Sequence, residues 1–461
     1  RGNSMHILEE IAQKRCLILG FGREGKSTYQ FLRSKFPDKE LTVADGNQNL
    51  DYSEYQNDRK CKFILGVEYL NAIPQFEVII KTPGISLKDI SINEPIKITS
   101  QTDIFLQIYG NQTIGITGTK GKSTTTTLIY HILSQSLPSV LLAGNMGIPL
   151  FDIIPKITSD SILVCEFSSH QLEYLDKSPH ISILLNLFEE HLDHYKSYLH
   201  YQMAKLNIAL HQTENDYFIY NSDDPTIAQL LKGKQIKSNR VPFSTERVIE
   251  SGFYLSDKRE LIDNYLKVNH HILNFDQPFP LKGAHNQKNM IVSTLVSLLC
   301  KVSPHEIERA LLNYTPLPHR LEFIGTKNDI DFYNDSISTI PQATIEALNT
   351  LPNTQTLILG GFDRGIDYSI LIDYLRAHPV RNLIFTGAAG TRMIDLWNQK
   401  PAENTVTFFE TEYDAIVRIA FEVTQPGEVC LLSPAASSYD KFKNFEYRGN
   451  YFKELIRKHK S

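Results

Sequence analysis

Little in this sequence points to an oxidising compartment, a membrane or a polyanion. Its five cysteines, Cys16, Cys61, Cys165, Cys300 and Cys430, are odd in number, scattered, and contain no C-x-x-C pair. That argues against a disulfide framework or a zinc site and reads as reduced, buried thiols of a cytosolic protein. The longest apolar stretches, such as Ile291 to Cys300, fall far short of a bilayer span. No signal peptide is recognised, and Arg1 to Ser4 ahead of Met5 read as a cloning remnant. A net charge of −5 gives no global electrostatic footprint for nucleic acid, so anionic ligands have to be held locally. Low-complexity tracts and a fixed repeat period are both missing, which excludes a solenoid. At 461 residues, with 41% hydrophobic and 21% charged, the chain is too long for one core and suggests about three domains.

What is present is a phosphate cradle. From Gly115 to Thr127 the chain reads Gly-Ile-Thr-Gly-Thr-Lys-Gly-Lys-Ser-Thr-Thr-Thr-Thr. A strand-like run, Thr113 to Thr117, enters a glycine-containing loop that opens into a helix at Lys122 and Ser123. In that order, backbone N–H groups and a helix N-terminus converge on one spot, Lys122 adds a point charge, and Ser123 offers a hydroxyl to Mg2+. The pattern reads as a nucleoside triphosphate site. The general P-loop G-x-x-x-x-G-K-[ST] requires Gly where this chain has Ile116, so the loop is the shorter form Gly118-Thr119-Lys120-Gly121-Lys122-Ser123-Thr124.

Ahead of it, a buried strand at Arg15 to Gly20 runs into Gly20-Phe21-Gly22-Arg23-Glu24-Gly25 and a helix to about Lys35. Asp45 closes the next strand, 20 residues after Gly25. This G-x-G-x-x-G in its strand-turn-helix setting suits any pyrophosphate, NAD included. Further strands at Phe63 to Leu65 and Glu77 to Lys81 lead to the turn Thr82-Pro83-Gly84-Ile85-Ser86. After the phosphate loop, strands at Ser139 to Ala143, Ser161 to Glu166, Ile181 to Asn186 and Tyr217 to Tyr220 alternate with helices, which predicts a parallel sheet with ligands at its carboxyl ends. Short alternating strands between Pro242 and Pro280 predict a small antiparallel addition. A helix follows from Gly283 to about Cys300. The proline-rich connector Tyr314 to Arg320 marks a stiff boundary before a third alternating unit. The expected architecture is α/β in three consecutive domains: Rossmann-like over 5–110, a central P-loop ATPase-like parallel sheet over 111–316, and Rossmann-like over 317–461.

Ser123 and Glu166 fall where both could hold one Mg2+. His191, near Asp193 and His194, fits a metal cluster or a solvated helix start, and Lys205 by its residue type alone would be a surface lysine.

The set Gly118 to Thr124, Gly144-Asn145-Met146-Gly147, Glu166-Phe167-Ser168-Ser169, Glu190-His191-Leu192-Asp193, Ala204-Lys205-Leu206, Gly283-Ala284-His285-Asn286-Gln287-Lys288-Asn289, His319-Arg320 and Asn334-Asp335-Ser336 resembles the Mur ligase family across essentially the whole chain. The ending Ser433 to Gly449 is similar to the glutamate-adding branch. Motifs of the branches adding diaminopimelate, lysine or alanine are missing.

The resemblance implies an ATP-dependent ligase of cytoplasmic peptidoglycan precursor synthesis, a monomer without nucleic-acid or membrane partners. It would attach glutamate, most simply D-glutamate, to UDP-N-acetylmuramoyl-L-alanine through an acyl phosphate. It also implies residue roles. Gly118, Thr119, Lys120, Gly121, Lys122, Ser123 and Thr124 would cradle the phosphates of ATP, Asn286 and Asn289 the adenine, Asp335 the ribose and Arg320 the γ-phosphate, with closure of the domains completing the site. Ser123, Glu166, His191 and a carbamylated Lys205, made with CO2 or bicarbonate, would hold two Mg2+ ions. Gly22, Arg23, Asp45, Thr82, Gly84 and Asn145 would take the UDP substrate, and Thr339, Arg364, Ser438 and Phe445 the incoming glutamate. The chain departs from the family pattern at Ile337, where a lysine is usual, and at Arg364, another lysine position. An L-glutamate-adding ligase is the nearest alternative, and an NAD-dependent oxidoreductase built on the first glycine motif is a more distant one.

Overall fold

The structure, a computed structural model, describes residues 6–119, 121–144, 148–187, 195–268, 272–281 and 283–460. Strand-helix alternation in the sequence becomes three mostly parallel sheets. In the first, β1 (Cys16–Leu19), β2 (Leu41–Asp45), β3 (Cys61–Leu65), β4 (Val78–Lys81) and β5 (Lys97–Thr99) lie in the parallel order β3-β2-β1-β4-β5. β1 and β4 are buried at every residue, as expected of strands covered on both faces.

The second sheet contains β6 (Thr113–Thr117), β7 (Val140–Ala143), β8 (Ile162–Glu166), β9 (Ile181–Leu184), β10 (Tyr217–Asn221), β11 (Asn239–Ser244), β12 (Phe253–Leu255), β13 (Glu260–Asp263) and β14 (Leu273–Asn274). Their order is β14-β13-β12-β11-β10-β9-β6-β8-β7. The antiparallel addition expected between Pro242 and Pro280 is smaller than its sequence pattern suggests. β11 and β12 continue the parallel run, and only β13 runs opposite, pairing antiparallel with β12 on one side and β14 on the other. Burial explains the correction, because Val241, Phe243 and Phe253 enter the same core as Ile219 of β10 and so hold these strands in the sheet. The helices Lys122–Ser136, Gly283–Leu299 and Pro304–Leu312 cover that face.

The other face shares a core with the first sheet. Alternation along β8 does the sorting: Val164 points to one core, Leu163 and Cys165 to the other, where Ile18, Phe21 and Leu32 also lie. Phe31 packs on Phe151 with ring centroids 4.1 Å apart, and Ser27 Oγ donates to Asp152 at 2.7 Å. The expected boundary at Gly110 therefore separates two sheets within one compact unit, Arg1–Tyr314.

The second unit, Thr315–Ser461, begins inside the proline-rich connector. Its strands β15 (Glu322–Lys327), β16 (Ile330–Asn334), β17 (Thr354–Gly360), β18 (Asn382–Thr386), β19 (Val406–Phe409) and β20 (Val429–Leu432) lie in the order β15-β16-β20-β17-β18-β19, with only β15 antiparallel. All five cysteines are free, and burial raises every thiol above its usual range. Among the described residues no helix is long and apolar enough to cross a membrane.

Asp103, fully buried in the helix Gln101–Tyr109, ties the first sheet to the segment after β8. It accepts from Thr99 Oγ1 at 2.6 Å, Gln107 Nε2 at 3.1 Å and the Asp176 N–H at 2.9 Å. Asp103→Ala strands these donors in the interior and should cost about 1–3 kcal/mol per orphaned group in urea unfolding of the whole chain. An unchanged midpoint would show that the tie contributes nothing.

Candidate active site

The phosphate loop sits where β6 ends, between the carboxyl ends of β8 and β9. Gly121 precedes the helix Lys122–Ser136 with φ +84°, a conformation that glycine adopts without strain. The Thr119 N–H donates to Asn186 Oδ1 at 2.8 Å, and Thr119 Oγ1 lies 3.1 Å from the Tyr201 hydroxyl. Ser123 Oγ is 3.0 Å from both carboxylate oxygens of Glu166 at the end of β8. Lys122 Nζ and Lys205 Nζ each donate to the same oxygen, the Gly118 carbonyl, at 2.8 Å. Lys205 reaches it from the helix Tyr198–Leu210, is 1% exposed, and lies 5.2 Å from the Tyr201 ring centroid. The surface position expected from its residue type is thus wrong, because an apolar helix face turns the side chain inward. Two lysine nitrogens thus share one carbonyl oxygen at the base of the loop.

On the helix Gly283–Leu299, Asn289 Oδ1 accepts from Thr125 Oγ1 at 3.2 Å, and Asn289 Nδ2 donates to Asn286 Oδ1 at 3.4 Å. A methyl group at Gly121 would lie 3.1 Å from Asn289 Oδ1 and 3.5 Å from His285 Nε2, so Asn289 borders the loop and Asn286 reaches it through Asn289. Lys120, Asn145 and His191 lie outside the described residues. Sequence reasoning passed over Asn186 and Tyr201 as loop supports. A polar residue two positions after β9, and a tyrosine one helical turn before Lys205, were the available signals.

In the first sheet, the loops after β1, β2 and β4 bring Gly22, Arg23, Asp45, Thr82 and Gly84 to one edge. Asp45 braces the glycine loop, accepting the Phe21 N–H at 2.7 Å and the Asn47 N–H at 2.8 Å. Thr82 Oγ1 donates to the Leu19 carbonyl at 3.0 Å.

In the second unit, the carboxyl ends of the neighbouring strands β16, β20 and β17 carry Asp335 to Thr339, Ser433 to Ser438, and Gly361 to Arg364. Arg364 is exposed, and the loop around it is held by Arg392, whose guanidinium pairs with Asp363 at 2.7 and 2.8 Å. Ser438 is buried. Phe445 opens the helix Phe445–Lys458, and its carbonyl accepts from Ser336 Oγ at 2.7 Å. Arg320 stands between two non-glycine residues in the left-handed region, His319 (φ +65°) and Leu321 (φ +42°). Such strain gathers at functional turns and needs a rigid surround.

Here the surround is a buried polar network. Glu322 accepts the His319 N–H and Asn334 Nδ2, both at 3.0 Å, and pairs with Lys453 at 3.0 Å. Burial, with Lys453 nearby, holds His319 below its usual pKa. Asp335, 2% exposed, accepts from the Leu321 N–H at 3.0 Å, from Ser433 Oγ at 2.8 Å and from Ser338 Oγ. Within this unit it braces the turn that carries Arg320.

Burial pushes the Asp335 carboxyl up to about 6 despite these hydrogen bonds and the Arg320 charge. Because the unfolded carboxyl ionises near 3.8, the folded chain keeps this proton to higher pH. The group's contribution is most favourable below about pH 4 and is lost as pH rises through about 6, a loss of roughly 3 kcal/mol when complete. Asp335→Asn removes that dependence. Relative to the parent, its melting temperature should rise between pH 5 and 8, and a difference that ignores pH would contradict the assignment.

Residues 116–297 match the Mur ligase middle domain. A UDP-N-acetylmuramoylalanine--D-glutamate ligase of Oceanobacillus iheyensis is 31% identical, covering 98% of this chain and 99% of its own. One from Ruminiclostridium cellulolyticum is 30% identical over 97% of each. Among solved structures, MurF from Acinetobacter baumannii superposes with a TM-score of 0.53 at 16% identity, over 96% of this chain and 90% of the other, a likeness of fold alone. With sequence identity at this level along both full lengths, the chain belongs to the Mur ligase family.

Proposed function

We propose that the chain is an ATP-dependent acid–amino-acid ligase that joins D-glutamate to UDP-N-acetylmuramoyl-L-alanine in the cytoplasm, acting as a monomer. Its main support is the convergence of Lys122, Ser123, Glu166 and Lys205 on the phosphate loop, in a chain similar throughout to ligases named for that reaction. Division of labour would follow the expected segments: 5–110 for the uridine diphosphate part, 111–316 for ATP, 317–461 for the amino acid.

A carboxylate is a poor electrophile, so the alanyl carboxylate first attacks the γ-phosphorus of ATP and expels ADP. The amine of glutamate then attacks the acyl carbon, loses a proton, and inorganic phosphate leaves. Lys122 and the loop amides hold the β- and γ-phosphates, and Arg320 takes the γ-phosphate on a turn braced by Asp335, which the resemblance also assigns to the ribose. Asn286 and Asn289 serve the adenine. Ser123 Oγ and the two Glu166 oxygens form a cluster of hard oxygen donors that suits Mg2+, and His191 would add a second position. Bound there, the metal would neutralise phosphate charge. Thr339, Arg364, Ser438 and the Phe445 backbone would receive glutamate, with Arg364 offering a bidentate fork to a carboxylate.

Lys205 is proposed to work as its carbamate. Crowding of two lysines on the Gly118 carbonyl supports this, since reaction of the Lys205 amine with CO2 turns the repulsion into an attraction and supplies two acceptor oxygens.

Phosphate release should require UDP-N-acetylmuramoyl-L-alanine, ATP and D-glutamate, with little from L-glutamate, lysine or diaminopimelate. Turnover with L-glutamate alone would move the chain to the L-glutamate-adding branch. Turnover with none would reject the ligase reading. Stripping CO2 at mildly acidic pH should slow the reaction and bicarbonate should restore it; indifference to bicarbonate would argue against the carbamate.

A further inference from the structure

Lys81 is out of place by ordinary rules. It is the last residue of β4 and only 2% exposed, although an ammonium group is seldom buried without partners. Its partners are unusual. Nζ donates to three carbonyl oxygens of the turn that follows: Thr82 at 3.0 Å, Pro83 at 3.4 Å and Ile85 at 2.5 Å. Glu24, on the helix Arg23–Lys35 that opens from the glycine loop, and Glu173, just beyond the helix Ser169–Leu172 of the second sheet, supply the opposite charge. The Tyr174 ring centroid lies 5.8 Å away.

The turn gathered around this cation is pressed on the glycine loop. The Thr82 N–H and hydroxyl both donate to the Leu19 carbonyl, at 2.9 and 3.0 Å. Gly20 has φ +97°, and a methyl group there would lie 2.1 Å from Thr82 Oγ1. The arrangement has an electrostatic consequence for any diphosphate at this sheet edge. Carbonyl oxygens repel phosphate oxygens, and Lys81 draws three of them inward, away from an incoming anion.

We propose that Lys81 is a positioning residue for the nucleotide end of the substrate: its buried ammonium gathers the Thr82, Pro83 and Ile85 carbonyls and so fixes the turn against the glycine loop in a shape that accepts a diphosphate. The inference rests on the proposed assignment of the first sheet to the uridine diphosphate part. It also makes Lys81 a joint between the two sheets of the first unit, because Glu24 and Glu173 come from either side. Burial acts on the same groups, drawing Lys81 down to about 8 and pushing Glu24 up to about 7. At neutral pH the lysine keeps its proton, and above about pH 8 it loses the charge that collects the carbonyls.

The test is calorimetric binding of UDP-N-acetylmuramoyl-L-alanine and, separately, ADP to the whole chain, with kcat measured alongside. Lys81→Met should weaken binding of the uridine nucleotide by about tenfold or more, the scale of one charge-assisted contact, while ADP affinity and kcat at saturation hold. Lys81→Arg, which keeps the charge, should recover part of the loss. In the parent, affinity for the uridine nucleotide should fall between pH 7 and 9 while ADP affinity stays level. This arm needs no variant and decides the matter should Lys81→Met fail to fold. Parental affinity for the uridine nucleotide in Lys81→Met, or a flat pH response in the parent, would overturn the role of Lys81 alone. A parent that binds ADP but not the uridine nucleotide would overturn both that role and the assignment of the first sheet.

Discussion

Two lysine side chains donating to one carbonyl oxygen, that of Gly118, set the terms for the phosphate loop. Lys122 comes from the helix that the loop opens, and Lys205 from a helix that follows β9 by more than a dozen residues. Their approach brings positive charge to a buried point beside the Ser123–Glu166 pair. A bound triphosphate would satisfy one of the two cations, and carbamylation would change the sign of the other. Both routes would replace repulsion between the two side chains with attraction.

In a chain with a net charge of −5, the proposed function requires local means of holding anions, and each sheet would supply its own. In the second sheet the means are lysines, loop amides and a helix N-terminus. In the first, a buried ammonium turns carbonyl oxygens away from the edge where the glycine loop lies. In the C-terminal unit a strained turn carries Arg320, and the acidic groups that hold the turn, Glu322 and Asp335, are withdrawn into hydrogen bonds. The common device is to bury the groups that would repel an anion and give them internal partners.

Much of this was legible in the sequence wherever local chemistry fixes local shape. The strand entering at Thr113, the glycine loop and the helix starting at Lys122 stand as read, because a phosphate cradle ties residue type to backbone geometry over a few positions. Glu166 could be placed beside Ser123 because both close or follow neighbouring parallel strands. Edge strands were harder. β19 carries little strand signal because Val406 and Phe409 are exposed and the segment shows no alternation, and β5 is only three residues long. Buried charges were the least legible. Residue type alone does not distinguish Lys81 or Asp103 from a surface residue, and beside their local partners each also depends on one far along the chain, Glu173 for Lys81 and the Asp176 N–H for Asp103. Lys205 and Asp335 became readable only through likeness to a family.

The central claim is that the γ-phosphate passes through the substrate's own carboxylate. The direct measurement is oxygen transfer: UDP-N-acetylmuramoyl-L-alanine labelled with 18O in its alanyl carboxylate is turned over with ATP and D-glutamate, and the inorganic phosphate is analysed by mass spectrometry. An acyl phosphate requires one labelled oxygen in each phosphate released, with the other label retained in the amide. Phosphate free of label, formed in step with amide, would contradict the account.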